Sequence, residues 1–190
     1  MSATSAFSGS IRRARSSTRS PWAAAPTRTP PWAALDDETP LPAGAWPIVS
    51  LERWQDERDI LLQAGVPLGL RLRSDQSPAA VADEVDRFDL IALDFPKFTD
   101  GRSYSHARLL RERYGYRGEL RAVGKVLRDQ FTFLLRCGFD SLEVADESLA
   151  GAWDEATSEI SHAYQRATDP RAPIWFQRHP ELQNVAAAAS

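Results

Sequence analysis

Four charged residues interrupt otherwise apolar stretches at a similar depth: Arg71, Asp94, Arg121 and Glu143. Charge inside an apolar strand is costly unless it is paired and hydrogen-bonded. With matching register the four form a band of alternating charge across neighbouring strands. That band either frames an anion between Arg71 and Arg121 or is a structural row of salt bridges. Two polar loops accompany it. In Phe98–Ser105 (FTDGRSYS), Asp100–Gly101 favours a turn and Ser103 suits the cap of a following helix. The free amides there, with Arg102 beside them, would attract an anion, whereas the plain alternative is capping with Arg102 in solvent. In the stretch Gly118–Gln130 (GELRAVGKVLRDQ), Arg128, Asp129 and Gln130 occupy the first turn of an amphipathic helix. Arg128 opposes the helix dipole there unless a carboxylate or ligand anion lies opposite, and Asp129 suits the place without any function.

Other chemistries lack their residues. The single cysteine, Cys137, supports no internal disulfide, CxxC pair or four-thiolate cluster. It falls on the apolar side of a helix, where a buried thiol is the ordinary outcome. His106, His162 and His179 have no ligand spacing, so no metal site is expected. The ten glycines include no G-x-G pair, so the dinucleotide fingerprint and the P-loop are both missing.

The elements that must hold these residues follow from periodicity. Pro47–Leu51, Leu68–Leu72, Leu90–Phe95, Glu119–Val123 and Ser141–Val144 read as strands. Helices are predicted over Arg53–Ala64, from a Ser77 cap and Pro78 to Arg87, over Tyr104–Tyr114, over Leu127–Cys137 closed by Gly138, and over about Ser148–Arg166. Strand and helix alternating in this way predict an α/β domain with a parallel sheet of about five strands and right-handed βαβ crossovers. An open three-layer sheet and a partial (β/α) barrel both satisfy the pattern. In either, ligands bind beyond the carboxyl ends of the strands. Those ends gather Arg71, Asp94, Lys97, Arg102, Arg121, Lys125 and Arg128.

The chain of 190 residues has room for one domain at 46–168, with a Ser/Arg/Pro-rich extension at 1–45 expected to be disordered and an extended tail at 169–190. Five arginines and no acid fall in the first 35 residues, which leaves 18 basic and 26 acidic groups for the rest. So acidic a body is a poor partner for nucleic acid. No apolar run is long enough to span a membrane. Arg12–Arg13 is not followed by the apolar stretch an export signal needs.

Three segments together resemble a known family: Phe95–Ser105 (FPKFTDGRSYS), Gly118–Gln130 and Arg136–Asp140 (RCGFD) are similar to the bacterial domain of unknown function 934 family, over roughly Trp32 to Gln177. Members are described as oxidoreductases of sulfite reduction, so the resemblance implies a cytoplasmic role in making sulfide for cysteine synthesis. The motif positions it carries over are Asp100, Gly101, Arg102, Tyr104 and Ser105, then Glu119, Arg121, Gly124, Arg128, Asp129 and Gln130. Lys125 stands where an acidic residue is expected, which makes the pocket more cationic. Sulfite reduction takes six electrons through siroheme and an iron–sulfur cluster, and this chain lacks the ligands for such a cluster. The implied role is therefore an accessory one, binding sulfite reductase, another sulfate-assimilation protein, or an anionic intermediate. Direct redox catalysis, for which flavin stays open as the cofactor, and a non-redox enzyme using the charged band as acid and base are the alternatives. The sequence leaves the oligomeric state open.

Overall fold

The computed structural model describes residues 9–12 (backbone only), 32–41 and 44–144. The helix expected over Ser148–Arg166 and the tail after Asp169 lie outside the described residues. Among the described residues seven strands form one sheet: β1 (Gly9–Arg12), β2 (Trp32–Ala34), β3 (Trp46–Ser50), β4 (Gly69–Leu72), β5 (Leu90–Phe95), β6 (Glu119–Gly124) and β7 (Ser141–Val144). Their order is β1-β7-β6-β5-β4-β3-β2. Strands β2 to β7 run parallel, and β1 lies antiparallel on β7. The six parallel strands curl into a half-barrel with helices between them. The partial-barrel form of the expected α/β fold is thus the one adopted, with β2 as one more parallel strand than the five expected.

Apolar residues on strands buried from both sides are continuous rather than alternating. Leu90, Ile91, Ala92 and Leu93 are all essentially inaccessible to solvent. Their two faces meet different neighbours. Val49, Leu70, Leu72, Ile91, Leu93, Phe95, Leu120, Ala122 and Leu142 pack with Trp54 and Leu61, Val81 and Val85, Ala107 and Leu110, and Phe131 and Leu134. Those partners come from a helical segment of each crossover between β3 and β7, so these helices cover one face, which fixes it as the outside of the half-barrel. Ile48, Leu90, Ala92 and Val123 form a smaller cluster on the other face with Trp32. Trp32 reaches it because Gly69 has no side chain; a Cβ there would lie 2.8 Å from Ile48 Cγ1 and 3.2 Å from Trp32.

The helical segments are more broken than periodicity suggests. Helix α1 (Leu51–Gln63) starts two residues early, capped by Ser50, whose Oγ accepts the Arg53 amide at 3.0 Å. The stretch Pro78–Arg87 is 3-10 helix with a break at Val81, although Ser77 caps it and Pro78 opens it as expected. Helix α2 (Arg102–Arg108) passes into a π-helical turn at Leu109–Arg113. A 3-10 turn at Arg128–Gln130 precedes α3 (Phe131–Cys137), which Gly138 ends in the left-handed conformation.

Candidate functional site

The carboxyl ends of β2 to β5 open into a cleft of about 610 Å³, the place where a (β/α) scaffold gathers loops around a ligand. Its walls carry two guanidiniums, Arg71 and Arg73, against five carboxylates, Asp36, Asp37, Glu38, Glu52 and Asp94. One side is a loop, Asp36–Thr39, which Arg53 holds in place. The Arg53 side chain is buried, and its Nη1 donates to the carbonyls of Asp36 (2.8 Å) and Thr39 (2.7 Å). Its charge is answered by Glu57 at 2.9 Å. Ser50 closes the same corner by donating to Asp37 Oδ1 at 2.5 Å.

Arg73 is heavily engaged. It donates to Glu52 at 2.7 Å and to Asp75 at 3.3 Å, while Gln76 also donates to Glu52, at 2.9 Å. A backbone N–H at the start of α1, and after it the Arg73 guanidinium, hold the Glu52 carboxyl below its ordinary pKa. Arg71 is different. It is 47% exposed, and its one hydrogen bond among the described residues goes from Nη2 to Asp94 Oδ1 at 3.2 Å.

Register settles how the four charged strand residues lie. Arg71 pairs with Ala92, Ala92 with Arg121, and Arg121 with Ser141, so the two arginines share one row on the inner face. With strands about 4.8 Å apart their Cα atoms are about 10 Å apart, and only the methyl of Ala92 stands between them. Asp94, level with Val123, belongs to the next inward-facing row toward the mouth. Glu143 likewise lies two residues beyond Ser141. The expected alternating band is therefore staggered into a row of arginines and a later row of acids. Arg121 is buried and committed to Glu119 (2.9 Å) and Ser141 (3.4 Å), and Ser141 in turn donates to Glu119 at 2.6 Å. Arg71 alone of the pair faces the cleft.

The loop after β5 is locked rather than open. Asp100 Oδ2 accepts from Ser74 Oγ at 2.8 Å and from Arg102 Nη2 at 2.7 Å, and Arg102 Nη2 also donates to Ser74 at 3.0 Å. Asp100 Oδ1 takes the Arg102 amide at 3.2 Å. Asp100 thus makes the turn expected of Asp100–Gly101, whereas Ser103 does not cap the helix but is buried, donating to the Asp94 carbonyl at 2.6 Å. That bond ties α2 to the strand end bearing Asp94. Arg102 first, then Ser74, hold the Asp100 carboxyl far below its ordinary range. A carboxylate with a lowered pKa stabilises the fold above its unfolded value and loses that contribution as pH falls through the folded value. The gap in melting temperature between wild type and Asp100→Asn should therefore be full near neutrality and shrink below about pH 4. A gap that does not change from pH 7 to pH 3 would count against the lock.

The remaining expected residues scatter. Lys97, Ser105, Lys125, Arg128 and Asp129 are exposed. Gln130 is structural: its amide donates to the Phe98 carbonyl at 2.9 Å and accepts from the Leu127 amide at 3.1 Å. Tyr104 packs edge-on against Phe95 (5.0 Å) and Phe133 (4.7 Å), and desolvation pushes its phenol up to about 12. Residues not singled out from the sequence, namely Asp37, Ser50, Glu52 and Gln76, line the cleft. Glu52 and Gln76 fall just past predicted strands and Ser50 within one, but Asp37 lies in the stretch read as an extension, where the sequence offers no signal.

Among the described residues no group of three or more His, Cys, Asp or Glu is arranged to hold a metal ion, and no helix is long and apolar enough to cross a membrane. None of the curated proteins compared matches the chain. A family model described as bacterial protein of unknown function (DUF934) matches residues 69–175, from the first residue of β4 onward and so including Arg71, Arg73 and Asp94. That match covers more than half of the chain, which therefore belongs to the DUF934 family.

Proposed function

We propose that this protein is a cytoplasmic accessory component of assimilatory sulfite reduction, which binds a small charged intermediate at the mouth of its half-barrel. The sulfur pathway rests on what family resemblance implies, and the binding role rests on one observation. Arg71, on the wall of a cleft of about 610 Å³, uses one of its donors on a single long bond to Asp94. A guanidinium has five N–H donors in a rigid fork suited to oxyanions. A half-exposed ion pair of this kind is worth only about 0–1 kcal/mol, so a ligand can compete for it at little cost. Arg121, by contrast, is already satisfied and contributes shape.

The reading assigns the protein no thiol chemistry. Cys137 is 3% exposed, and burial pushes its thiol up to about 11. At neutral pH it stays protonated, whereas nucleophilic and redox cysteines act as thiolates. A strain lacking the protein should fail to grow on sulfate or sulfite as sole sulfur source and recover on sulfide. Normal growth on sulfate overturns the reading.

Docking on sulfite reductase itself is a second reading, favoured by a separate surface. Phe98, Leu127 and Phe133 are 55%, 47% and 53% exposed, with Lys97 and Lys125 exposed beside them in sequence. The Gln130 side chain bridges the backbones of Phe98 and Leu127 and so keeps two of the three side by side. Exposed apolar groups with cationic neighbours suit an acidic partner surface. Tagged protein should recover sulfite reductase from native extract, and Phe98→Ser with Phe133→Ser should abolish recovery. Equal recovery by the double variant removes this reading.

A further inference from the structure

We infer that the ligand of the cleft is a small zwitterion of the α-amino-acid type, held by Arg71 at its carboxylate and Asp94 at its ammonium. The inference rests on the cleft being the binding site, and it specifies the chemistry that the site selects. Charge balance comes first. Five carboxylates against two guanidiniums give the cleft an excess of negative charge, so a simple oxyanion meets repulsion as well as attraction. A ligand that also carries a cation turns that excess into affinity.

Geometry narrows the class. Arg71 and Asp94 stand on adjacent strands and project from the same inner face, their polar atoms 3.2 Å apart. A ligand that engages both must therefore carry its two charges close together, and an α-amino acid has them on one carbon. The pair is also under-used. Arg71 has one bond, and Asp94 Oδ2 has none among the described residues. Arg73, the other guanidinium of the cleft, is already shared between Glu52 and Asp75. Space is left beside Arg71, where its neighbour on β5, Ala92, offers only a methyl. Asp37 and Glu38 add negative charge to the opposite wall, which favours the ammonium end over a second anionic group.

The test is a thermal-shift screen of the full chain against the common L-α-amino acids one at a time, with sodium acetate, sodium sulfite and ethylammonium chloride as single-charge controls. A ligand that binds only the folded state raises the melting temperature in proportion to ln(1 + [L]/Kd), so about 10 mM probe reports millimolar sites. At least one amino acid should raise it and the three controls should not. Arg71→Met and Asp94→Asn should each weaken binding by about tenfold or more, with circular dichroism unchanged. Arg71→Lys, which keeps the charge without the fork, should weaken it less. A shift with sulfite and with no amino acid overturns this inference and leaves the binding role standing. No shift with any probe overturns both. A shift with an amino acid that survives Arg71→Met overturns the assigned contact and the inference with it.

Discussion

Arg111→Met is expected to cost about 3–5 kcal/mol of folding stability, the penalty for removing one partner from a buried ion pair. The side chain is 9% exposed and reaches two separate turns of the chain. Its Nη1 donates to the carbonyls of Tyr116 (2.8 Å) and Gly118 (2.9 Å), its Nε donates to that of Gly138 (3.0 Å), and its Nη2 pairs with Asp140. Asp140 also takes the Leu120 amide at 3.0 Å. One guanidinium, projecting from the π-helical turn after α2, thereby clamps the turn into β6 to the turn into β7. Methionine fills part of the volume but leaves Asp140 and three carbonyls without this donor. With a urea m-value of about 1–3 kcal/mol/M, the midpoint should fall by more than about 1 M. Arg111→Lys should recover part of the loss, because it restores charge without the planar fork. A methionine variant within about 0.5 kcal/mol of wild type, as at ordinary surface positions, would show that the clamp does not hold the domain.

Gly124→Ala should combine a fold defect with a site defect. Gly124 ends β6 at φ +95°, where an L side chain is strained. The added Cβ would lie 2.6 Å from the Phe95 carbonyl oxygen and 2.9 Å from Asp94 Oδ1. The left-handed backbone alone costs roughly 1–2 kcal/mol. Relief of the close contacts should bring the loss to about 2–4 kcal/mol, near the upper range for single substitutions. Where the strand holds the backbone at 124 in place, relief moves the Phe95 carbonyl and Asp94, which should shift Asp94 from Arg71. Denaturant unfolding and ligand titration on the same preparation separate the two effects. An alanine variant as stable as wild type would show that the backbone at Gly124 relaxes freely.

Strand β5 was legible to the residue, because a continuous apolar run ended by a charge and a proline has few other readings. The Gly138 stop was equally plain, and so was the Ser77–Pro78 helix start. β2 was not legible. Trp32–Ala34 lies in a Pro-rich stretch without periodicity, within the segment expected to be an extension. Its strand character comes from pairing with β3, a partner that local sequence does not name. The charged residues show the same division. That Arg71 and Arg121 are related followed from strand lengths, but their shared row and the offset of Asp94 depend on register, which only pairing across strands fixes. Arg111, in the polar run RERYGYRG, reads as a solvent-facing charge until the π-helical turn and the turns before β6 and β7 are brought together around it. Ser103 was read as a cap because serine suits one, but no side chain caps α2, and the buried Ser103 instead fastens α2 to β5 through the Asp94 carbonyl.

The binding role of the cleft is tested most directly by complementation. A strain lacking the protein would carry wild type, Arg71→Met or Asp59→Asn, an exposed acid on α1 outside the cleft lining, at matched protein levels, with sulfite as sole sulfur source. Wild type and Asp59→Asn should restore growth, and Arg71→Met should behave as the empty vector until sulfide is supplied. Full growth of the Arg71→Met strain on sulfite would contradict a working role for the cleft.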